Sequence, residues 1–158
     1  MEVFLIRHAE AEPRRPGRDD AARPLTPRGR KRMVRATQGL KRLGLGFDRL
    51  YHSPWLRAVE TGNVLAPLVR GESVVTARLA ESPGLALLDE LSGARVALVG
   101  HQPWLGELLA LLTSSDPKLG PHFAFGKGGL AWLEGEPRPG EMTLRALWPS
   151  KALRAVAR

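Results

Sequence analysis

The sequence predicts an α/β fold, a three-layer sandwich with a mostly parallel central sheet flanked by helices. Two short runs, EVFLIR at 2–7 and RVALVG at 95–100, are apolar nearly throughout and rich in β-branched residues. Such runs read as buried strands. Helical segments alternate with strands; in the clearest, Leu105, Leu108, Leu109 and Leu112 recur at the i, i+3, i+4, i+7 spacing of one helix face. Alternating strands and helices imply helices packed on the faces of a parallel sheet. The 158 residues, 43% of them hydrophobic, suit one domain with its own core, spanning 1–158.

The elements follow in order. After the first strand, residues 10–26 are rich in Pro, Arg, Asp and Ala and show no period, so they read as a loop. Thr26 can cap a helix that starts at Pro27. Met33, Thr37, Leu40 and Leu43 supply its buried stripe, and Gly44 ends it. Residues 48–53 form a second strand, 55–69 a helix and 73–77 a third, weaker strand. A short helix is expected between Gly84 and Leu91. The strand at 95–100 leads into the helix at 103–113. Residues 114–128 read as a Gly/Pro-rich loop, and two strands, 129–134 and 142–148, flank a turn at 136–140.

Composition narrows the function. The chain has no cysteine, which excludes disulfides and thiolate metal sites. No run of 18 apolar residues exists to span a bilayer. The opening MEVFLIRHAE has too short an apolar run for a signal peptide and an acidic Glu2 where a basic segment would stand. The protein is therefore expected to be cytoplasmic. A net charge of +8 favours anionic partners, although a merely solubilising surplus accounts for it equally well.

Ligands of open α/β sheets bind beyond the carboxyl ends of the strands. Three patterns carrying His and Arg stand at such ends: Leu5-Ile6-Arg7-His8-Ala9, Ser53-Pro54-Trp55-Leu56-Arg57-Ala58 followed by Glu60-Thr61, and Val99-Gly100-His101-Gln102-Pro103. Singly each is weak, because an isolated Arg is usually a solvated charge and an isolated His a hydrogen-bonded structural group. Jointly they suit a phosphoryl group. Guanidinium forks match phosphate oxygens, and neutral imidazole is a nucleophile near neutral pH.

The order of these motifs resembles that of the histidine phosphatase superfamily, the phosphoglycerate mutase-like family, over nearly the whole chain. The segment from Arg23 to Gly29, the Ala9 that follows Arg7-His8 and the short length are similar to the SixA-type phosphohistidine phosphatases. The resemblance implies that His8 is the catalytic nucleophile that becomes phosphorylated. It implies that Arg7 and Arg57 bind the phosphate of the substrate, and that His101 stabilises the transferring group. The family's general acid follows a Leu-x-Glu start, which Leu79-Ala80-Glu81 fits, but Ser82-Pro83-Gly84-Leu85 departs from the pattern at once. Glu81 is thus a candidate acid, with a helix-capping or surface carboxylate as the alternative. No metal and no cofactor is expected.

The function that follows is removal of a phosphoryl group, through a phosphohistidine on His8, from phosphohistidine in a protein. A departing imidazole needs little help from an acid, which suits a chain whose one candidate acid is Glu81. The alternatives are a broad phosphomonoesterase for small phosphate esters and a basic binding module with an inactive pocket. The expected partner is a phosphorylated protein or small molecule, neither nucleic acid nor membrane. The Arg28–Arg32 cluster reads as a solvated face and the tryptophans are not arrayed to stack bases. His52 and His122 are expected to be structural or surface groups. Trp104 is expected in the core, with a pocket wall as the alternative.

Overall fold

The computed structural model describes all 158 residues. The apolar runs become six strands: β1 (Glu2–Arg7), β2 (Arg49–His52), β3 (Ser73–Val75), β4 (Arg95–Gly100), β5 (Leu130–Gly135) and β6 (Met142–Trp148). They form one sheet in the order β3-β2-β4-β1-β5-β6. Strands β1 to β4 are parallel, and β5 runs against both of its neighbours. The helices are α1 (Pro27–Arg42), α2 (Leu56–Leu65), α3 (Leu85–Glu90), α4 (Trp104–Ser114) and α5 (Ser150–Val156).

The pleat of the sheet splits the core in two. Phe4, Ile6, Ala97 and Val99 face Met33 and Leu40 of α1, Leu65 of α2 and Leu153 of α5. Their neighbours Val3, Leu5, Val96 and Leu98 face Leu87 of α3 and Leu105, Leu108 and Leu112 of α4. Both faces of β1 and β4 are therefore covered, which is why these strands are apolar at successive positions rather than alternate ones. Each fully buried Leu or Phe contributes about 1.5–3 kcal/mol of transfer free energy. The fold is the predicted three-layer sandwich.

Several expected elements differ in detail. Leu43 is not on the buried stripe: α1 stops at Arg42, Leu43 is its C-cap and 44% exposed, and the chain turns at Gly44 with φ +71°. The buried face instead runs through Met33, Ala36, Thr37 and Leu40. The helix expected to reach Val69 ends at Leu65, and Ala66–Leu68 tightens into a 3-10 turn. Pro67 has no N–H to continue the helical ladder. The 114–128 loop contains a 3-10 segment, Pro117–Phe123. Helix α5 was not expected, since seven residues are too few to display a period.

Helix α5 docks on α1 where Gly39 meets it. A Cβ on Gly39 would overlap the carbonyl oxygen of Leu153, so only glycine allows this approach. Gly39→Ala should favour the isolated helix by roughly 1 kcal/mol yet lower the stability of the protein, because forced repacking costs about 1–3 kcal/mol. The urea midpoint should fall; an unchanged or higher midpoint would show that α5 is not seated there.

Candidate active site

The pairing register builds the site. Arg7 of β1 pairs with Gly100 of β4, and His52 of β2 pairs with Val99. The next residues of the three strands, His8, His101 and Ser53, therefore leave the sheet side by side. Two further backbone bonds hold them there: His8 N–H donates to Gly100 O at 3.1 Å, and Ser53 N–H donates to Val99 O at 3.1 Å. The rings of His8 and His101 lie 5.1 Å apart, and both are no more than 5% exposed.

The hydrogen bonds define which nitrogen of His8 is free. Its Nδ1 lies 2.7 Å from the carbonyl oxygen of Ala9, which can only accept, so Nδ1 carries the proton. Nε2 then keeps its lone pair and accepts from Arg57 Nε–H at 3.3 Å. Burial, helped by the charges of Arg57, Arg7 and Lys127, outweighs the Ala9 bond and lowers the pKa of His8 to about 3. His101 is also lowered to about 3, chiefly by burial and then by His8 and Arg57, with Asp20 opposing. Both imidazoles are neutral at physiological pH.

Arg57 is held from three directions. Beyond its contact with His8, Nη1 donates to Asp20 O at 2.7 Å and Nη2 donates to Asp20 Oδ2 at 3.2 Å. Its guanidinium also lies 4.6 Å from the centre of the Trp55 ring. Burial opposes the charge of Asp20, but Arg57, Arg23 and Arg14 prevail and hold its carboxyl below the usual range. Thr61, one turn after Arg57, donates to Arg57 O at 2.6 Å and accepts from Ala9 N–H at 3.0 Å. Helix α2 is thereby tied to the turn after His8.

Arg7 donates through Nη1 to Phe125 O at 3.1 Å, while its Nε is buried without a partner. His101 Nε2 lies 2.8 Å from Ser53 Oγ, and its Nδ1 is likewise buried without a partner. Buried polar atoms are rarely left so. Two orphans beside neutral His8 and buried Arg57 suit a ligand that brings its own oxygens. Trp55 lies 4.6 Å from the His101 ring, and Trp104 meets both rings edge-on. Trp104 is thus a half-buried wall of the cluster rather than a core residue. Beside Trp55 opens a cleft of about 620 Å³, lined also by Arg14, Arg18, Arg23 and Asp20.

The structure thus brings together Arg7, His8, Arg57 and His101. Glu81 is exposed at the end of the 3-10 turn Ala77–Ala80 and makes no hydrogen bond. It lines a surface groove with Tyr51, Thr76, Arg78 and Glu90, and a small recess shared with Trp104. His52 is buried with Nδ1 3.0 Å from Ser53 O, and His122 is exposed. No three His, Cys, Asp or Glu side chains converge as a metal-ligating set. Sequence reasoning gave no role to Asp20, Ser53, Trp55, Thr61 or Lys127. Ser53, Trp55 and Thr61 lay inside a motif already singled out; Asp20 sat in an aperiodic loop without any local signal.

Comparison with known proteins agrees with this geometry. The model of the histidine phosphatase superfamily (branch 1) matches residues 3–87. An uncharacterized protein of Picosynechococcus sp. is 33% identical over 141 residues, covering 84% of each chain. The chain belongs to the histidine phosphatase superfamily. Within it the chain is SixA-like. The protein histidine phosphatase SixA, solved with tungstate, superposes with a TM-score of 0.79 at 26% identity, over 97% of this chain and 99% of that one. A phosphoserine phosphatase of Entamoeba histolytica shares the fold at a TM-score of 0.72 and 19% identity, over 96% and 98% of the chains.

Two outcomes are expected. Imidazole resonances of His8 and His101 should report neutral rings throughout pH 5–8, since both pKa values lie near 3. Between the ordinary value of 6.5 and about 3 the unfolded chain binds protons that the folded chain does not, so stability should fall as pH drops through that window. A midpoint near 6.5 for either ring would contradict the burial argument. Arg57→Lys keeps the charge but cannot make the three bonds of the fork. A lost charged hydrogen bond is worth about 1.5–3 kcal/mol, so kcat/KM on a phosphorylated substrate should drop roughly 10–100-fold. Equal activity in the lysine variant would make Arg57 a structural charge.

Proposed function

We propose that the protein is a phosphohistidine phosphatase in which His8 Nε2 attacks phosphorus. The observation that carries this reading is the fixed tautomer: Nδ1–H is engaged by Ala9 O, leaving Nε2 unprotonated among cations. In the first step an Nε2–P bond forms as the P–N bond to the leaving imidazole breaks, and that imidazole takes a proton from solvent. In the second step water attacks phosphorus, the Nε2–P bond breaks, and phosphate leaves. Arg7 and Arg57 hold the non-bridging oxygens. The orphaned Arg7 Nε and His101 Nδ1 are further groups for charge building on them.

The substrate class follows from the proton inventory. Glu81 is exposed and has no hydrogen-bond partner to set its position, and Asp20, the carboxylate beside Arg57, is held ionised by three arginines. Neither is a carboxylic acid held ready by a fixed partner to protonate an alkoxide. An imidazole leaving group accepts a proton from water near neutral pH, so phosphohistidine in a protein fits such a site. The second reading is a broad phosphomonoesterase for small esters; the 620 Å³ cleft has the size of a small-molecule pocket.

His8→Ala should lose at least ~10³-fold in kcat, as expected for removal of a covalent nucleophile. Labelled phosphate should be trapped on His8 of the active enzyme in an acid-labile, base-stable form. Glu81→Gln should change kcat/KM less than about tenfold on a phosphohistidine protein, whereas a positioned acid contributes ~10²–10⁴-fold on alkyl phosphates. Wild-type ester turnover that matches phosphohistidine turnover, with a large loss on esters in Glu81→Gln, would favour the phosphomonoesterase.

A further inference from the structure

We propose that the chain carries a second oxyanion site, for inorganic phosphate, in the cavity between the turn after His8 and helix α5. This cavity has a volume of about 220 Å³ and shares no lining residue with the 620 Å³ cleft beside Trp55. Its walls bring together Glu10, Gly29, Arg32, Lys127, Ser150 and Arg154, from four distant stretches of the chain.

The charge balance there is uneven. Three cations share the cavity with one carboxylate, and Glu10 is already engaged by Arg32 Nη1 at 3.0 Å. Lys127 and Arg154 enter no ion pair, and Arg154 Nε is buried with no hydrogen-bond partner. An unpaired guanidinium nitrogen removed from water is costly, and two like charges around one concavity repel. An anion offsets both terms at once. Arg154 offers a fork that matches a tetrahedral oxyanion, Lys127 a mobile point charge and Ser150 a hydroxyl.

Size selects the ligand. The cavity lies below the 300–1,000 Å³ of ordinary small-molecule pockets, which leaves room for a free oxyanion with a few waters but not for a nucleotide or sugar phosphate. Inorganic phosphate, the product released by a phosphatase, has the right size and charge. The site adjoins the nucleophile through Ala9 and Glu10, which follow His8 directly, and through Gly128, whose N–H contacts the carbonyl oxygens of Arg7 and His8 at 3.0 and 3.1 Å.

The test is equilibrium dialysis of radiolabelled inorganic phosphate against the intact protein. Wild type should saturate at two phosphates per chain, and Arg154→Gln should weaken one of them at least tenfold. Arg154→Lys, which keeps the charge, should lie between. Arg57→Ala should retain one phosphate, lost again in Arg57→Ala/Arg154→Gln. The Arg154 arm reads binding alone and does not depend on the catalytic reading. Wild-type binding that Arg154→Gln leaves unchanged would overturn the site. Displacement of the phosphate retained by Arg57→Ala with glycerol phosphate, as readily as with unlabelled phosphate, would overturn its assignment to the free ion.

Discussion

Much of this molecule depends on the parallel pairing of β1 with β4. With Arg7 opposite Gly100, the two strands end level, and the residue after each is a histidine. A slip of one residue would turn the side chains of β1 to the other face and separate His8 from His101. The register is secured because both faces of both strands are buried, so every slipped alignment would force a mismatch with α1 and α2 on one side and α3 and α4 on the other. Catalytic geometry and core packing are in this sense the same constraint.

Around that pair the protein concentrates positive charge while keeping both histidines neutral. Arg7, Arg57 and Lys127 disfavour protonation of His8, and burial acts in the same direction. A field that repels protons from imidazoles attracts anions. Asp20 prevents the arrangement from being purely repulsive: one residue accepts from Arg57 through its carbonyl and its carboxylate while also pairing with Arg23 and Arg14. The basic start of α1 is also partly neutralised, since Arg30 pairs with Glu60 and Arg32 with Glu10. These pairs link the loop after His8, α1 and α2 into one frame.

The central strands were legible because burial on both faces leaves an unbroken apolar run, as in RVALVG, and α4 because its leucines repeat at helical spacing. Arg7, His8, Arg57 and His101 were legible as a group because each stands at or just beyond a strand end. Local pattern misled at Leu43, where helical spacing persists beyond the last helical turn, and at Pro67, where it outlasts the backbone's capacity to continue. Helix α5 escaped notice because its one buried leucine, Leu153, gives no period by itself.

By itself, then, the sequence determined the layered architecture, the order of its central elements and the clustering of His and Arg at strand ends. These follow from periodicity and chain direction, which are properties of short segments. Tertiary structure alone decided which nitrogen of His8 is free, that Asp20 reaches across 37 positions to hold Arg57, and that Trp55 and Trp104 wall His101. It also left Glu81 exposed beside Trp104 and gathered Lys127, Arg32 and Arg154 around one cavity. Each of these is a contact between residues far apart in the chain. The energy of such a contact depends on burial and distance, and neither exists until the sheet has formed and the loops have folded over its edge.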